Sequence, residues 1–234
     1  MSIAIRILKT VAIYVLLSMA TFLMLRGILI YLPMRDDIGF LQFKKDYLQI
    51  LPWKIAFYVH VFSVFFALLA GFTQFSNTFL KERRQLHRII GKIYAYDVLL
   101  INFPATMIMA IYANGGMPCK IAFVLLDTLW FWFTLKAVLA ARQKKITAHK
   151  QYMIRSYALT LSAVMLRGWK MVISGLVHID PVTLYQIDAW MGFIPNLLFA
   201  EWLIRRKTLT PKANVVNNQH KYAYSNNEQS TEGY

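Results

Sequence analysis

The sequence predicts an all-α polytopic membrane bundle of about six transmembrane helices. Two observations predict it: a series of apolar runs, each long enough for the hydrocarbon, and basic residues gathered into alternate connections. Composition agrees. Of 234 residues, 58% are hydrophobic and 16% charged, whereas a soluble domain is about a quarter charged and near half apolar.

A helix needs about 20 apolar residues to cross the hydrocarbon. Six runs meet this: Ile7–Leu32, Trp53–Thr78, His87–Ala113, Cys119–Ala141, His149–Leu176 and Val182–Ile204. The first is too long for the apolar core of a signal peptide, and no small-residue cleavage site follows it, so it reads as a span. Pro33, Pro118 and Pro181 fall in connections, and Pro52 stands at a first helical position, where a missing N–H costs nothing. Pro104 and Pro195 fall inside spans and predict kinks. Gly115-Gly116 predicts a tight turn between spans three and four.

The connections set the orientation. Lys81, Arg83, Arg84 and Arg88 fill the second connection, and Arg142, Lys144, Lys145 and Lys150 the fourth. Arg205, Arg206 and Lys207 follow the last span, and Arg6 and Lys9 precede the first. The third and fifth carry almost no Lys or Arg, with Lys120 the exception. The positive-inside rule then puts both termini on the cytoplasmic side of an inner-membrane-type bundle. The first connection runs against this pattern with Arg35, Lys44 and Lys45, though Asp36, Asp37 and Asp46 accompany them.

Residues 1–207 thus form one membrane domain, and 208–234, rich in Asn, Gln and Ser, read as a disordered cytoplasmic tail. The net charge of +15 does not point to nucleic acid, because the basic residues form short clusters between apolar runs. Anionic lipid headgroups explain them. Cys119 is the only cysteine, which excludes an internal disulfide and any Cys-x-x-Cys motif.

Four of the five histidines belong to the membrane domain. An ionisable residue inside a span is a functional candidate by default. His60 lies about 10 Å below the outer end of span two at 1.5 Å per residue, and its side chain is too short to snorkel far. His178 ends span five on the outer side, while His87 and His149 open spans three and five at the inner side. On span five, His149, Ser156, Thr160, Arg167, Ser174 and His178 fall near one line of the helix and predict a polar seam. On span two, His60, Ser63, Ala67, Gly71 and Gln74 form a small, polar face. Arg26 and Arg167 lie about 9 and 12 Å below the outer ends of their spans, near the depth of His60. Buried arginines need partners. Asp127 is the acid at hand, and an anionic ligand, a haem propionate or a quinone head group is the alternative. Tyr94, Tyr96, Trp130, Trp132 and Trp169 read as fillers and belt residues.

The run His87-Arg88-Ile89-Ile90-Gly91-Lys92-Ile93-Tyr94, after Arg84, resembles the His-Arg-x-x-Gly-Arg/Lys-x-Tyr signature of the bacterial membrane family called domain of unknown function 2306. His60 with Gly71 and Gln74, His149 before Tyr152-Met153-Ile154-Arg155, and Arg167 are similar to that family too, over residues 57–206. The resemblance implies a membrane bundle and no particular activity. In layout alone the chain is similar to the two-haem ascorbate-reducing cytochromes b, six-helix proteins with histidines towards both membrane faces, although no ascorbate motif is present.

Three functions remain open. The first is redox chemistry on haem b or another cofactor held by His60, His87, His149, Arg167 and Arg26, with a quinone or a respiratory-chain component as partner. The second is a non-haem metal site on His60, His87 and His149, or a role in assembling a respiratory complex. The third is a transporter or small-molecule binder built on broken helices, and beside these stands a structural or interaction role in which the seam serves only helix packing. The topology is tested by reporter fusions: those after Lys81, Arg142 and Lys207 are expected to be cytoplasmic and one at Gly116 external. An external reporter at Arg142 contradicts the assignment.

Overall fold

The structure, a computed structural model, describes residues 3–206. Among these every regular element is helical, as lipid demands, because a helix satisfies its own backbone groups. Helix α1 is Ile3–Leu29, α2 Leu51–Gln74 and the short α3 Asn77–Glu82. Helix α4, Arg84–Tyr96, runs through a π-helical turn, Asp97–Asn102, into α5, Phe103–Ile111. Then follow α6, Gly116–Arg142, α7, Ile146–Thr160, α8, Ser162–Leu176, and α9, Pro181–Met191. A last helix, α10, covers 194–206. The tail expected over 208–234 lies outside the described residues.

Among the described residues five stretches are long and apolar enough to cross a bilayer: Thr10–Leu29, Leu51–Gln74, Arg84–Ile111, Gly116–Arg142 and Pro181–Arg206. The remaining expected span, the fifth, is broken. It consists of α7 and α8, 15 residues each, meeting at Leu161. Each rises about 22 Å, short of the roughly 30 Å hydrocarbon. Near the break the Thr160 hydroxyl donates back to the Ser156 carbonyl at 3.3 Å, a bond that bends helices. The predicted seam is cut there. Ser156 and Thr160 are 0% and 5% exposed, while Arg167, Ser174 and His178, beyond the break, are exposed.

The prolines act as local chemistry requires. Pro52 opens α2 and Pro181 opens α9, where Asp180 accepts from the Val182 and Thr183 amides at 3.0 and 3.1 Å. Pro104 stands in the first turn of α5, directly after the π turn. A proline has no N–H for the carbonyl four residues back, and the wider turn before it takes up the expected kink. At Pro195 the disruption becomes a break at Gly192–Phe193 between α9 and α10. Gly115 and Gly116 have φ of +80° and +75°, values that favour glycine and turn the chain into α6.

Helix α6 is central and packs on α5, α7 and α9; α2 packs on α4, α5 and the π turn. Helix α1 packs on α2 alone in any strength, and α8 on α9 and the end of α7. One close approach explains a residue of the small face on α2. A Cβ on Gly71 would sit 1.9 Å from the Tyr157 hydroxyl oxygen, which donates to the Leu68 carbonyl at 2.8 Å.

The first connection carries its charges locally. Arg35 pairs with Asp37 at 2.6 Å and Lys54 with Asp36 at 2.7 Å. Lys44 is 2% exposed. Its ammonium donates to the Tyr112 carbonyl, just past the end of α5, and to Asn114 Oδ1 at 2.7 Å. It lies 5.7, 4.6 and 5.8 Å from the ring centroids of Phe40, Tyr47 and Trp53, within cation–π range. A cation at a helix C-terminus is also favoured. Burial, then the charge of Lys120, lowers the Lys44 pKa from 10.5 to about 8. The unfolded chain therefore holds this proton between about pH 8 and 10.5 while the folded chain releases it, so stability rises with pH through that window. Unfolding midpoints in detergent are expected to rise across it in the natural protein and to stay flat in Lys44→Met. A fall that the variant removes would show that the rings and carbonyls outweigh burial.

Candidate functional site

The polar residues of the bundle form two groups, one in each half of the membrane. We call the Lys- and Arg-rich end of the bundle the inner end.

The outer group is built on α2 and the π turn. His60 lies nine residues from the start of α2 and Asn102 nine from the end of α5, so both lie about 14 Å below the outer ends. His60 Nδ1 is 2.8 Å from Asn102 Oδ1. The amide group of Asn102 points the other way, donating to Asp97 Oδ1 at 2.9 Å and Ser63 Oγ at 3.0 Å. An Nδ2 facing a carboxylate fixes the amide orientation, so Oδ1 can only accept from His60. The imidazole therefore carries its proton on Nδ1 and presents Nε2 as a bare acceptor. Asn102 is fully buried and Asp97 4% exposed, with Asp97 Oδ2 unpartnered. A π turn displaces side chains from helical register and is common at functional sites. Here it sets both polar residues against the core face of α2.

Arg167 comes into electrostatic reach of His60 and of Tyr31. Its side chain is exposed. Its guanidinium donates to the Ala163 carbonyl of its own helix at 2.9 Å. Arg26 is a different case. It is exposed and lies some 160–200° around α1 from the buried Met24 and Ile28. It therefore points away from α2 and does not join His60, since a long side chain can snorkel along lipid. The expected pairing of Asp127 with an arginine is not formed either. Asp127 is 5% exposed with Oδ2 unpartnered.

The inner group is built on α4, α6 and α7. His149 Nδ1 is 2.9 Å from the Ala137 carbonyl. A carbonyl only accepts, so the neutral ring carries its proton on Nδ1 and leaves Nε2 free. His87, on α4, is within electrostatic reach of His149, and its Nδ1 is buried without a partner. Gln74 donates to the His87 carbonyl at 3.2 Å. A Cβ on Gly91 would lie 3.1 Å from Gln74 Oε1, so the glycine four residues after His87 keeps room for this strap. Arg155 pairs with both oxygens of Glu201 on α10 and lies over the rings of Phe133 and Tyr152 at 5.8 and 5.5 Å.

Between the two groups lies a hydroxyl network. Tyr94 Oη is 2.6 Å from Ser156 Oγ and 2.9 Å from Thr160 Oγ1, and Trp130 Nε1 donates to Thr160 at 3.2 Å. Thr134 joins at 2.6 Å from Ser156. Tyr94 and Trp130 are thus more than fillers.

The structure brings together His87 with His149, and His60 with Arg167. It does not join the two pairs. Among the described residues no group of three or more His, Cys, Asp or Glu is placed to hold a metal ion, and His60 lies in the half opposite the other two. Sequence reasoning passed over Asn102 and Asp97. An acid and an amide inside an apolar run were the available signal.

These features define a helical integral-membrane protein with half-buried imidazoles in both halves of its bundle. The family model described as "Predicted membrane protein (DUF2306)" matches residues 57–204, and the chain belongs to that family, as its His-Arg-x-x-Gly motif indicates. No curated protein and no solved structure matches it.

Proposed function

We propose that the protein carries a b-type haem at its inner end, held between His87 and His149, and works as an electron carrier of the bacterial plasma membrane. The observation that carries this reading is the fixed tautomer of His149. Its Nδ1–H rests on the Ala137 carbonyl, the bond that metal-bound histidines usually make through their other ring nitrogen, and its Nε2 is left for a ligand. His87, on another span, lies within electrostatic reach of it, and its buried, unpartnered ring nitrogen carries a cost that coordination would relieve. The buried Ala137 and Ala140 on α6 keep the wall beside His149 thin. Arg88 and Lys150, next to the two histidines in sequence, offer charge to propionates. A haem there would supply one-electron chemistry. The protein's part is to present the imidazoles and exclude water.

A transport reading has one observation in its favour: helices interrupted within the bundle at 97–102, Leu161 and 192–193, a trait of transporters. Absorption spectroscopy separates the two. Protein purified in detergent from haem-replete cells is expected to show a Soret band and sharp α and β bands on reduction. His87→Ala and His149→Ala should each lose them, and His60→Ala should keep them. Folded but colourless natural protein contradicts the haem reading.

A further inference from the structure

We infer that the exposed side of α4, at the inner end of the bundle, binds an anionic phospholipid whose headgroup carries two phosphates. The inference does not rest on the haem reading. Arg88 is common to both, and the test leaves it in place.

Length sets this side of α4 among the headgroups. The stretch Arg84–Ile111 runs 28 residues, about 42 Å at 1.5 Å per residue, against roughly 30 Å of hydrocarbon. From Ile93 to Ile111 the chain carries no Lys or Arg and rises about 28 Å, which fills the hydrocarbon. The first two turns of α4, from Arg84 to Lys92, therefore stand at the level of the inner headgroups.

Two lines of side chains cover the exposed side of the helix. Arg84, Arg88 and Lys92 follow one another at intervals of four, which puts them on one line, and all three are exposed. Leu86, Ile89, Ile93 and Tyr96 follow at intervals of three and four, which puts them on the adjacent line. They are 44%, 44%, 52% and 59% exposed. Tyr94 marks the buried side, so both lines face away from α2 and α6, on which α4 packs.

Charge selects the ligand. Neighbouring cations on such a line are about 6 Å apart, so the three extend over about 12 Å. None of them forms an ion pair among the described residues, whose pairs lie elsewhere. One phosphate meets only part of this line. Two phosphates on one headgroup meet neighbouring cations together, and the acyl chains then run into the hydrocarbon along Ile93 and Tyr96. Basic residues at the inner surface attract anionic lipids in general. A fixed line of cations beside an apolar line chooses among them.

The test is native mass spectrometry of the full-length protein, delipidated in detergent and titrated with cardiolipin, phosphatidylglycerol or phosphatidylcholine of the same acyl chains. Cardiolipin is expected to bind tenfold or more tightly than phosphatidylglycerol, and phosphatidylcholine more weakly still. Arg84→Gln with Lys92→Gln should weaken cardiolipin by tenfold or more. Arg142→Gln with Lys144→Gln removes two exposed charges from the inner end of α6 and should change it little. His87→Ala should bind cardiolipin as the natural protein does, which separates this test from the haem question. Excess glycerophosphate should not displace the lipid. Helical content and monodispersity confirm that each variant is folded. Cardiolipin held no better than phosphatidylglycerol or phosphatidylcholine overturns the inference. So does cardiolipin binding that folded Arg84→Gln with Lys92→Gln retains. An equal loss in both double variants, which would make the attraction one of total charge, overturns it too, as does displacement by glycerophosphate, which would mark a site for free phosphate.

Discussion

The hydroxyl of Tyr94 is the point on which the bundle is organised. It is 1% exposed and lies ten residues into α4, about 15 Å from the inner end. Its partners Ser156 and Thr160 come from α7, and Trp130 and Thr134 of the same network come from α6. Three spans thus meet at one set of polar atoms. In lipid there is no hydrophobic force between helices, so packing and such bonds decide which faces meet. Each bond contributes only about 1 kcal/mol, but an abandoned buried hydroxyl costs about 1–3 kcal/mol. The network therefore acts mainly by excluding other registers of α4, α6 and α7.

The two candidate sites follow from that arrangement. Below the network, α4 and α7 bring their opening turns to the inner end, which sets His87 beside His149. Above it, α7 ends. The hydroxyl bond from Thr160 to the Ser156 carbonyl and the break at Leu161 let α8 leave the line of α7. The straight seam that a single helix would make becomes a buried half and an exposed half. Arg167 then lies exposed instead of in the core. The π turn does the corresponding service on span three: it admits Pro104 and sets Asn102 against His60.

The bundle was legible in the chain because lipid leaves few choices. Long apolar runs must be helices, and the small face of α2 around Gly71 is where Tyr157 does come close. The inner half of the seam was legible for the same reason: Ser156 and Thr160 are costly to point at lipid. The rest was hidden for identifiable causes. The break in span five has no proline or glycine to announce it. Arg26 and Arg167 occupy similar depths, and depth does not tell which side of a helix a residue is on. Tyr94 is one aromatic among many until its hydroxyl finds partners more than sixty positions away. Lys44 seemed to argue against the placement of the first connection, but it is buried, its ammonium lying over three rings and bonded to two oxygens.

What unites the two sites is that each holds an imidazole by Nδ1 and presents Nε2: His60 through an amide whose orientation a carboxylate fixes, and His149 through a backbone carbonyl. Nitrogen NMR on histidine-labelled protein, purified without added ligand, tests this most directly. The account predicts that at neutral pH His60 and His149, assigned by His60→Ala and His149→Ala, each show a protonated Nδ1 and an unprotonated Nε2. A protonated Nε2 on either ring in the ligand-free protein, or tautomers in exchange at both, would contradict it.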